Sequence, residues 1–500
     1  MILWRKNPIW VLVAALLVGL PAIADPPTTD SAVFLLKRSV TAHRNGRHNL
    51  MLRALRHLDD PQLQPLFRHL AGDRHPALKI HGILGLAETS PDPQLELARL
   101  ADIEDPALAA QLVGAAMDAD LLPGDQAQQV IRWPGMDASV RMVVATQLVS
   151  DGQFESMPLL TEALASENLF RRSLAALLLH QLGQPEGMAE LRKLKDVEAR
   201  LRHRVHSMVL STAIEHDLER IGPWALDLAE NPDVPYGLTL RALEAALRFK
   251  APGAAQRWQQ RLGSETDVAG RLRLGMTALA AAPWATPGSF APLAADEDPL
   301  LAAIGTAASA ASDPEAAGPA IVRLVETQYV PAIDWAVSWA REHASDPQRN
   351  QVLTAVISAF EPRPQRQLAQ RLDQLVEAVR LLADHAPDHA AQQLKPRLSR
   401  ENGDPIFKQG ILLGLVRSHQ PQVADILPEI SPTDNPTITG LSIFLRARSG
   451  RELTPLQQQK FHLLIRGGGG FPETVRLQAA WIYLRRQGLA DDALQKVIRT

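Results

Sequence analysis

The chain has 500 residues, of which 46% are hydrophobic, 21% charged and 5% aromatic, so it can bury a large core built from Ala, Leu and Val and is neither a disordered tail nor a fibre. Lys plus Arg is 52 and Asp plus Glu is 55, and the net charge of -3 argues against a nucleic-acid binder that relies on bulk positive charge. Cysteine is absent, which excludes disulfides, thiolate metal sites, covalent haem attachment, a cysteine nucleophile and a lipid-modified cysteine, and leaves packing alone to hold the fold.

The N-terminus has the three-part form of a secretory signal: Arg5 and Lys6, an apolar run from Ile9 to Leu20, then Ala22-Ile23-Ala24 before Asp25. Cleavage is expected after Ala24, because the run between Pro8 and Pro21 is shorter than the roughly 20 apolar residues that a membrane span requires. Removing residues 1–24 takes away two positive and no negative charges, so the mature chain carries 50 against 55, a net charge of -5. The expected location is the bacterial periplasm, and the same signal would also serve secretion beyond it. No later segment is long enough to span a membrane.

The rest of the chain carries an internal repeat, which has to be recognised before any fold is assigned. Residues 76–88 read PALKIHGILGLAE, 106–116 PALAAQLVGAA, 137–148 DASVRMVVATQL and 168–180 NLFRRSLAALLLH. Aligning Leu78, Leu108, Val140 and Phe170 gives steps of 30, 32 and 30 residues. The pattern returns at Leu238, Val268, Asp298, Asp404, Asn435 and Pro472. Its periodicity is helical: Ile80, Ile83, Leu84 and Ala87 fall at i, i+3, i+4 and i+7, a stripe that a neighbouring helix must cover. Asp-Pro pairs at Asp60, Asp92, Asp105, Asp298, Asp313, Asp346 and Asp404 mark helix starts, with Asp as cap and Pro in the first turn. Small residues inside the helices, among them Gly82, Gly85, Gly114, Ala145, Ala175, Gly275 and Gly410, suit close helix stacking. The stretch 282–397 is less regular.

These features resemble the HEAT and HEAT-like repeats, antiparallel helix pairs stacked into a superhelix. The most specific element is the second-helix pattern of Asp, two residues, an aliphatic and a basic residue, present as Asp137-Ala-Ser-Val140-Arg141 and Asp404-Pro-Ile-Phe407-Lys408. The resemblance implies an all-α fold, a right-handed superhelical α-solenoid of about thirteen helix hairpins. The expected organisation is a signal peptide at 1–24, one repeat array at 25–282, a joint at 283–299 and a second array at 300–500. Gly467 to Gly470 form the most flexible point.

A search for chemistry returns no Walker loop, dinucleotide fingerprint, GxSxG elbow, HExxH or calcium-loop pattern, and no catalytic residue, metal ligand or cofactor is assigned. Four weaker features remain. The start of the mature chain is basic and His-rich: Arg44, Arg47, His48, Arg53, Arg56 and His57 form a candidate partner-binding patch, with Arg53, Arg56 and His57 expected on the exposed face of a helix over 48–58. Against this stands an ordinary solvated face on a terminal repeat. The recurring basic residues Lys79, Arg141, Arg171, Arg241, Arg271, Lys408 and Arg476 could line a groove for an extended acidic ligand, but the resemblance implies structural ladders with acidic groups of adjacent repeats. Asp384, His385, Asp388 and His389 are of types that ligate zinc or manganese, yet Pro387 puts a helix junction between the pairs and capping accounts for the aspartates. Gly467 to Gly470 expose amides before a helix, but Glu473 would repel an anion there. Trp335 and Trp339, at i and i+4, are better explained by packing than as a stacking platform.

The expected function is therefore a non-enzymatic periplasmic scaffold or adaptor that binds envelope protein partners through a solenoid surface, in an envelope assembly, secretion or polysaccharide-export complex. The alternatives are an exported all-helical polysaccharide lyase or hydrolase, an anionic-polymer binder, and an adaptor docked on membrane headgroups. Nucleic acid is not an expected partner.

Overall fold

The computed structural model describes residues 48–58, 60–91, 138–150, 152, 154–313, 315–361, 371–400, 403–418, 420, 426–427, 435–465, 475–476 and 478–482. Among them there is no strand, and every regular element is helical. The signal segment, Arg44, Arg47, the repeat unit at 106–116 and Gly467 to Gly470 lie outside the described residues.

In chain order the α-helices begin with α1 His48–Arg56, α2 Gln64–Ala71, α3 Pro76–Thr89, α4 Ala138–Ser150, α5 Met157–Leu164, α6 Leu169–Gln181 and α7 Pro185–Arg192. There follow α8 Ala199–Glu215, α9 Gly222–Glu230, α10 Tyr236–Arg248, α11 Ala254–Ser264, α12 Val268–Ala281, α13 Ala291–Ala294 and α14 Pro299–Ala310. The last are α15 Ala317–Glu326, α16 Val330–Glu342, α17 Asp346–Phe360, α18 Leu372–His385, α19 Pro387–Ser399, α20 Pro405–Arg417, α21 Pro436–Arg448 and α22 Pro455–Ile465.

Contacts divide the chain into two units, residues 92–449 and residues 1–91 together with 450–500. In the first of these, alternate helices stack into a row: α4 packs on α6, α6 on α8, α8 on α10, α10 on α12 and α12 on α14. The intervening helices cover it, α5 lying on α4 and α6, α7 on α6, α9 on α10, α11 on α10 and α12, and α13 on α14. Each apolar stripe is thereby buried by its neighbours in sequence, as in other repeat stacks. At α14 the alternation slips by one helix. There α14 packs on α15, the next helix in the chain, and the row continues with α15 on α17, α17 on α18, α18 on α20 and α20 on α21.

The capping residues follow the row. Asn168, Glu198, Asp267, Asp298, Asp404 and Asn435 open α6, α8, α12, α14, α20 and α21, each accepting backbone N–H bonds from the first turn. A capping box of Ser345 and Gln348 opens α17, and Asp313 accepts from the N–H groups of Glu315 and Ala316 ahead of α15. The covering helices α5, α7, α9, α11, α13, α16 and α19 have no side-chain cap bond, and neither do the row helices α10, α15 and α18. The row helices on the two sides of the slip, α14 and α15, are thus opened by Asp298 and preceded by Asp313, inside the stretch whose sequence repeat is least regular.

The stretch 283–299, expected as a joint, packs against α11. The Phe290 ring meets Trp258 edge-on with centroids 5.2 Å apart, and Gln259 Nε2 donates to the Ser289 carbonyl at 2.9 Å. The other unit draws on both ends of the chain, a grouping that arrays at 25–282 and 300–500 do not anticipate. Helix α3 packs on α1 and α2, Gln478 Nε2 donates to the Ala54 carbonyl at 2.7 Å, and Trp481 Nε1 donates to Asp60 Oδ2 at 3.0 Å.

Candidate functional site

The N-terminal basic patch is smaller than its sequence suggests. Arg53 and His57 are exposed on and just after α1, but Arg56 is only 8% exposed. Its guanidinium donates through Nε to Glu88 Oε2 at 2.7 Å and through Nη2 to Glu88 Oε1, tying α1 to α3. Leu52, Ala54 and Leu55 of α1 are buried and draw Arg56 in beside them, away from the exposed face expected for it. Arg56 therefore leaves the exposed group as a structural ion-pair residue. His48 opens the same helix. Beside Arg56, His81 is pushed down to about 4, chiefly by burial and then by the charges of Arg56 and Arg53.

The recurring basic residues lie in different surroundings. Arg241 forks onto Glu244 in its own helix with bonds of 3.0 and 2.9 Å, while burial pushes the Glu244 carboxyl up against the pull of Arg241. Arg271 pairs with Asp296, and Lys408 is buried at 6% exposure. Lys79 and Arg476 are partly buried. Arg141 and Arg171 differ from all of these, because they line one cavity.

That cavity lies where α4, α5 and α6 meet and has a volume of about 460 Å³. Arg141 from α4 and Arg171 from α6 stand near the starts of two helices that pack on each other, so their matching repeat positions bring two guanidinium groups to one opening. Met142, Leu159 and Ala163 supply apolar wall, and Glu162 and Ser166 supply polar wall. Arg141 is partly buried and Arg171 is exposed. No described residue pairs with the Arg171 guanidinium. The neighbouring Arg172 turns away, forming an ion pair with Glu190 at 2.8 Å and donating to the Ser166 carbonyl at 3.0 Å. Glu162 and Ser166 were not singled out in the sequence, since neither belongs to the repeated pattern and only the fold of α5 brings them beside the two arginines.

The remaining sequence candidates disperse. Asp384 receives Arg380 Nη1 at 2.9 Å and the Ser418 hydroxyl at 2.6 Å, whereas the His389 ring meets the Thr354 hydroxyl at 3.1 Å on a different helix. His385 is exposed. No cluster of three His or carboxylate side chains suited to a metal ion occurs among the described residues. Trp339 is core, 2% exposed, with Nε1 donating to the Ala311 carbonyl at 3.2 Å. An aromatic contact not read from sequence lies at the C-terminal helix ends, where Arg248 stacks 3.6 Å from the Trp284 ring centroid and His343 meets Trp284 edge-on with centroids 4.7 Å apart. Arg248 also pairs with Asp217, so this stack closes on itself.

No family model matches the chain, and no curated protein matches it. Among solved structures, it is similar to the karyopherin Kap121p bound to the extreme C-terminus of the protein phosphatase Cdc14p, with 13% identity over 94% of this chain and 55% of that one and a TM-score of 0.27. It is also similar to Kap121p bound to RanGTP, with 12% identity, 93% and 55% coverage and a TM-score of 0.23. The chain thus spans about half the length of the karyopherin it matches. The stacked helical hairpins are read from the packing described above.

Proposed function

We propose that the protein is a non-enzymatic, exported scaffold that binds polypeptide partners along its stacked helix row. The observation that carries this reading is the cavity at α4, α5 and α6, where residues at one repeat position on neighbouring helices face a common opening. A row that sets equivalent positions side by side offers an extended ligand one contact per helix, which is how repeat stacks form long binding surfaces. The compartment is the periplasm, supported by Arg5, Lys6, the run from Ile9 to Leu20 and Ala22-Ile23-Ala24. Its setting is an assembly, secretion or polysaccharide-export complex of the envelope.

The test is crosslinking of the tagged protein in intact cells, followed by affinity purification, mass spectrometry and N-terminal sequencing. The expected outcome is one or two abundant envelope proteins recovered with it, and a mature chain beginning at Asp25. Recovery of the protein alone would remove the scaffold reading in favour of polymer binding or polysaccharide cleavage, and an intact Met1 in the membrane fraction would remove the cleaved signal.

A further inference from the structure

We propose that Arg248, Trp284 and His343 form a clasp that holds the helix row closed over its slip and opens in acid, letting the row bend at this point. The inference goes beyond the scaffold reading and does not rest on it. At the slip α14 passes the row to α15 instead of to α16, and α12 and α16 touch beside that step. Helix ends converge there: Arg248 closes α10, Trp284 follows shortly after α12, and His343 caps the C-terminus of α16. The guanidinium lies 3.6 Å from the Trp284 ring centroid, and the His343 ring meets the indole edge-on with centroids 4.7 Å apart. One indole thus joins two row helices before the slip to a helix after it. Beyond His343 the tie continues, because Arg341 pairs with Glu342 at 2.7 Å and stands 3.9 Å from Glu377 of α18, which takes Arg380 at 2.7 Å.

The backbone shows that Asp217 belongs to the clasp. Helices α6, α8 and α10 end alike, with the N–H groups of Gln184, Leu218 and Ala251 donating back to the carbonyls of Leu179, Ala213 and Ala246 at 2.9, 2.9 and 2.8 Å. That ending needs one residue at positive φ, a place where glycine is unstrained. Helix α6 uses Gly183 at φ 84, whereas α8 uses Asp217 at φ 51. The side chain kept there is engaged: Asp217 Oδ1 accepts from Arg248 Nε at 3.1 Å and Nη2 at 2.5 Å, and so sets the guanidinium against the indole.

His343 is the member that titrates near neutral pH. Its side chain keeps 25% exposure, so a proton can reach it. The indole already carries one cation, and a second on the same ring would be repelled by the first. Burial pushes the imidazole down, Glu342 pulls it up, Arg248 pushes it down again and Asp217 pulls it up, with a net direction downward from 6.5. The closed clasp therefore binds fewer protons than the open one, so its stability is present above 6.5 and is lost as pH falls below that value. The other charges of the elements around His343 are engaged elsewhere or exposed. Arg349 of α17 holds Asp346 and the carbonyls of Ala340 and Ala344, Asp313 caps the approach to α15, and Glu315 is exposed. The end of α12 brings residues 281–285, AAPWA, which carry no charge.

The chain has no cysteine, so a pair introduced at the exposed positions Asp227 on α9 and Ser338 on α16 takes spin labels at those two sites alone. Electron–electron distance measurements on the full mature protein at about pH 7.5 and about pH 5 read the opening directly. A single narrow distance is expected at the higher pH. At the lower one a second population should appear, longer by about 5 Å, half of a helix–helix spacing. His343→Phe keeps a ring without the proton and should show the narrow distance at both values. Asp217→Gly suits the backbone and removes only the carboxylate, so the longer population should be present already at the higher pH. His206→Phe, away from the clasp, should behave as wild type. A wild-type distance that does not change with pH would overturn the proposal, as would an acid transition that survives His343→Phe or disappears in His206→Phe. An Asp217→Gly protein that stays closed at the higher pH would remove the carboxylate's part in holding Arg248, and with it the clasp.

Discussion

Arg448 illustrates how single side chains hold one repeat to the next. Its guanidinium donates to the carbonyls of Val416, Leu415 and Ser418 at 2.6, 2.9 and 3.0 Å, satisfying the C-terminus of α20 from the end of α21. Burial pushes it down to about 10, with Asp384 pulling the other way, yet three carbonyl partners keep the charge in place. His206 is the opposite case. It is buried on α8, its ring edge-on to Trp224 with centroids 5.4 Å apart, and Nδ1 has no partner among the described residues. Burial, with the charges of Arg202 and His203, pushes it down to about 4 from 6.5. Between those values the unfolded chain binds more protons than the folded one, so the stability that neutral His206 supports is present above 6.5 and is lost as pH falls towards 4. Replacing it by Phe removes this dependence. Urea denaturation at pH 7.5 and pH 5 should show wild type losing about 2 kcal/mol more than His206→Phe over that interval. Parallel losses in the two proteins would mean that His206 stays exposed to protons in the fold.

Close approach of helices is controlled at the element scale by glycines at one position. Gly82 is the seventh residue of α3 and Gly305 the seventh of α14. A Cβ at Gly82 would lie within 3 Å of Ala71 N and Leu70 C, and one at Gly305 within 3 Å of Ala294 N and Leu293 C. In both pairs the backbone around the end of the preceding helix, α2 or α13, leaves no room, so the two helices would have to separate. Gly305→Ala should therefore destabilise by upward of about 2 kcal/mol, although alanine is the better helix former. Gly237 on α10 has nothing within 4 Å of its Cβ site, and Gly237→Ala should be neutral or stabilising by up to roughly 1 kcal/mol. Thermal unfolding of the two variants decides the matter, and a harmless Gly305→Ala would disprove the close approach. Much of this scale was legible in the sequence: Asp298 and Asp404 cap row helices as their Asp-Pro pairs suggest, and small residues such as Gly82 and Gly275 sit where helices meet. The slip at α14 and α15 was not. Asp313 was recognised as a helix start, but a cap does not disclose which neighbouring helix will cover the stripe that follows it. The cavity was half legible for a related reason, since Arg141 and Arg171 belong to the repeated pattern whereas Glu162 and Ser166 reach it only through the fold.

At the scale of the whole molecule, the contacts that group residues 1–91 with 450–500 could not be read from periodicity, because a repeat pattern reports neighbours in sequence and Gln478 and Ala54 are 424 residues apart. Trp481 anchors this grouping. It is fully buried, and its Nε1 bond to Asp60 satisfies a polar group that burial would otherwise strand. Asp60 at the same time accepts the Gln62 N–H through its other oxygen, so the residue that starts the first 3₁₀ turn also receives the far end of the chain. Truncating Trp481 removes a large apolar volume, a loss of about 3–5 kcal/mol for a buried tryptophan. If residues 48–91 and 475–482 form one cooperative unit, that loss is shared: in Trp481→Ala, amides of α1, α2 and α3 should exchange hydrogen faster together with those of 478–482. Amides of α10 and α12, whose core residues belong to the other unit, should keep their protection. Faster exchange confined to 478–482, with α1 to α3 unchanged, would show that the C-terminal segment is a passenger on the N-terminal helices and that their stability comes from Arg56, Glu88 and the α2–α3 packing alone.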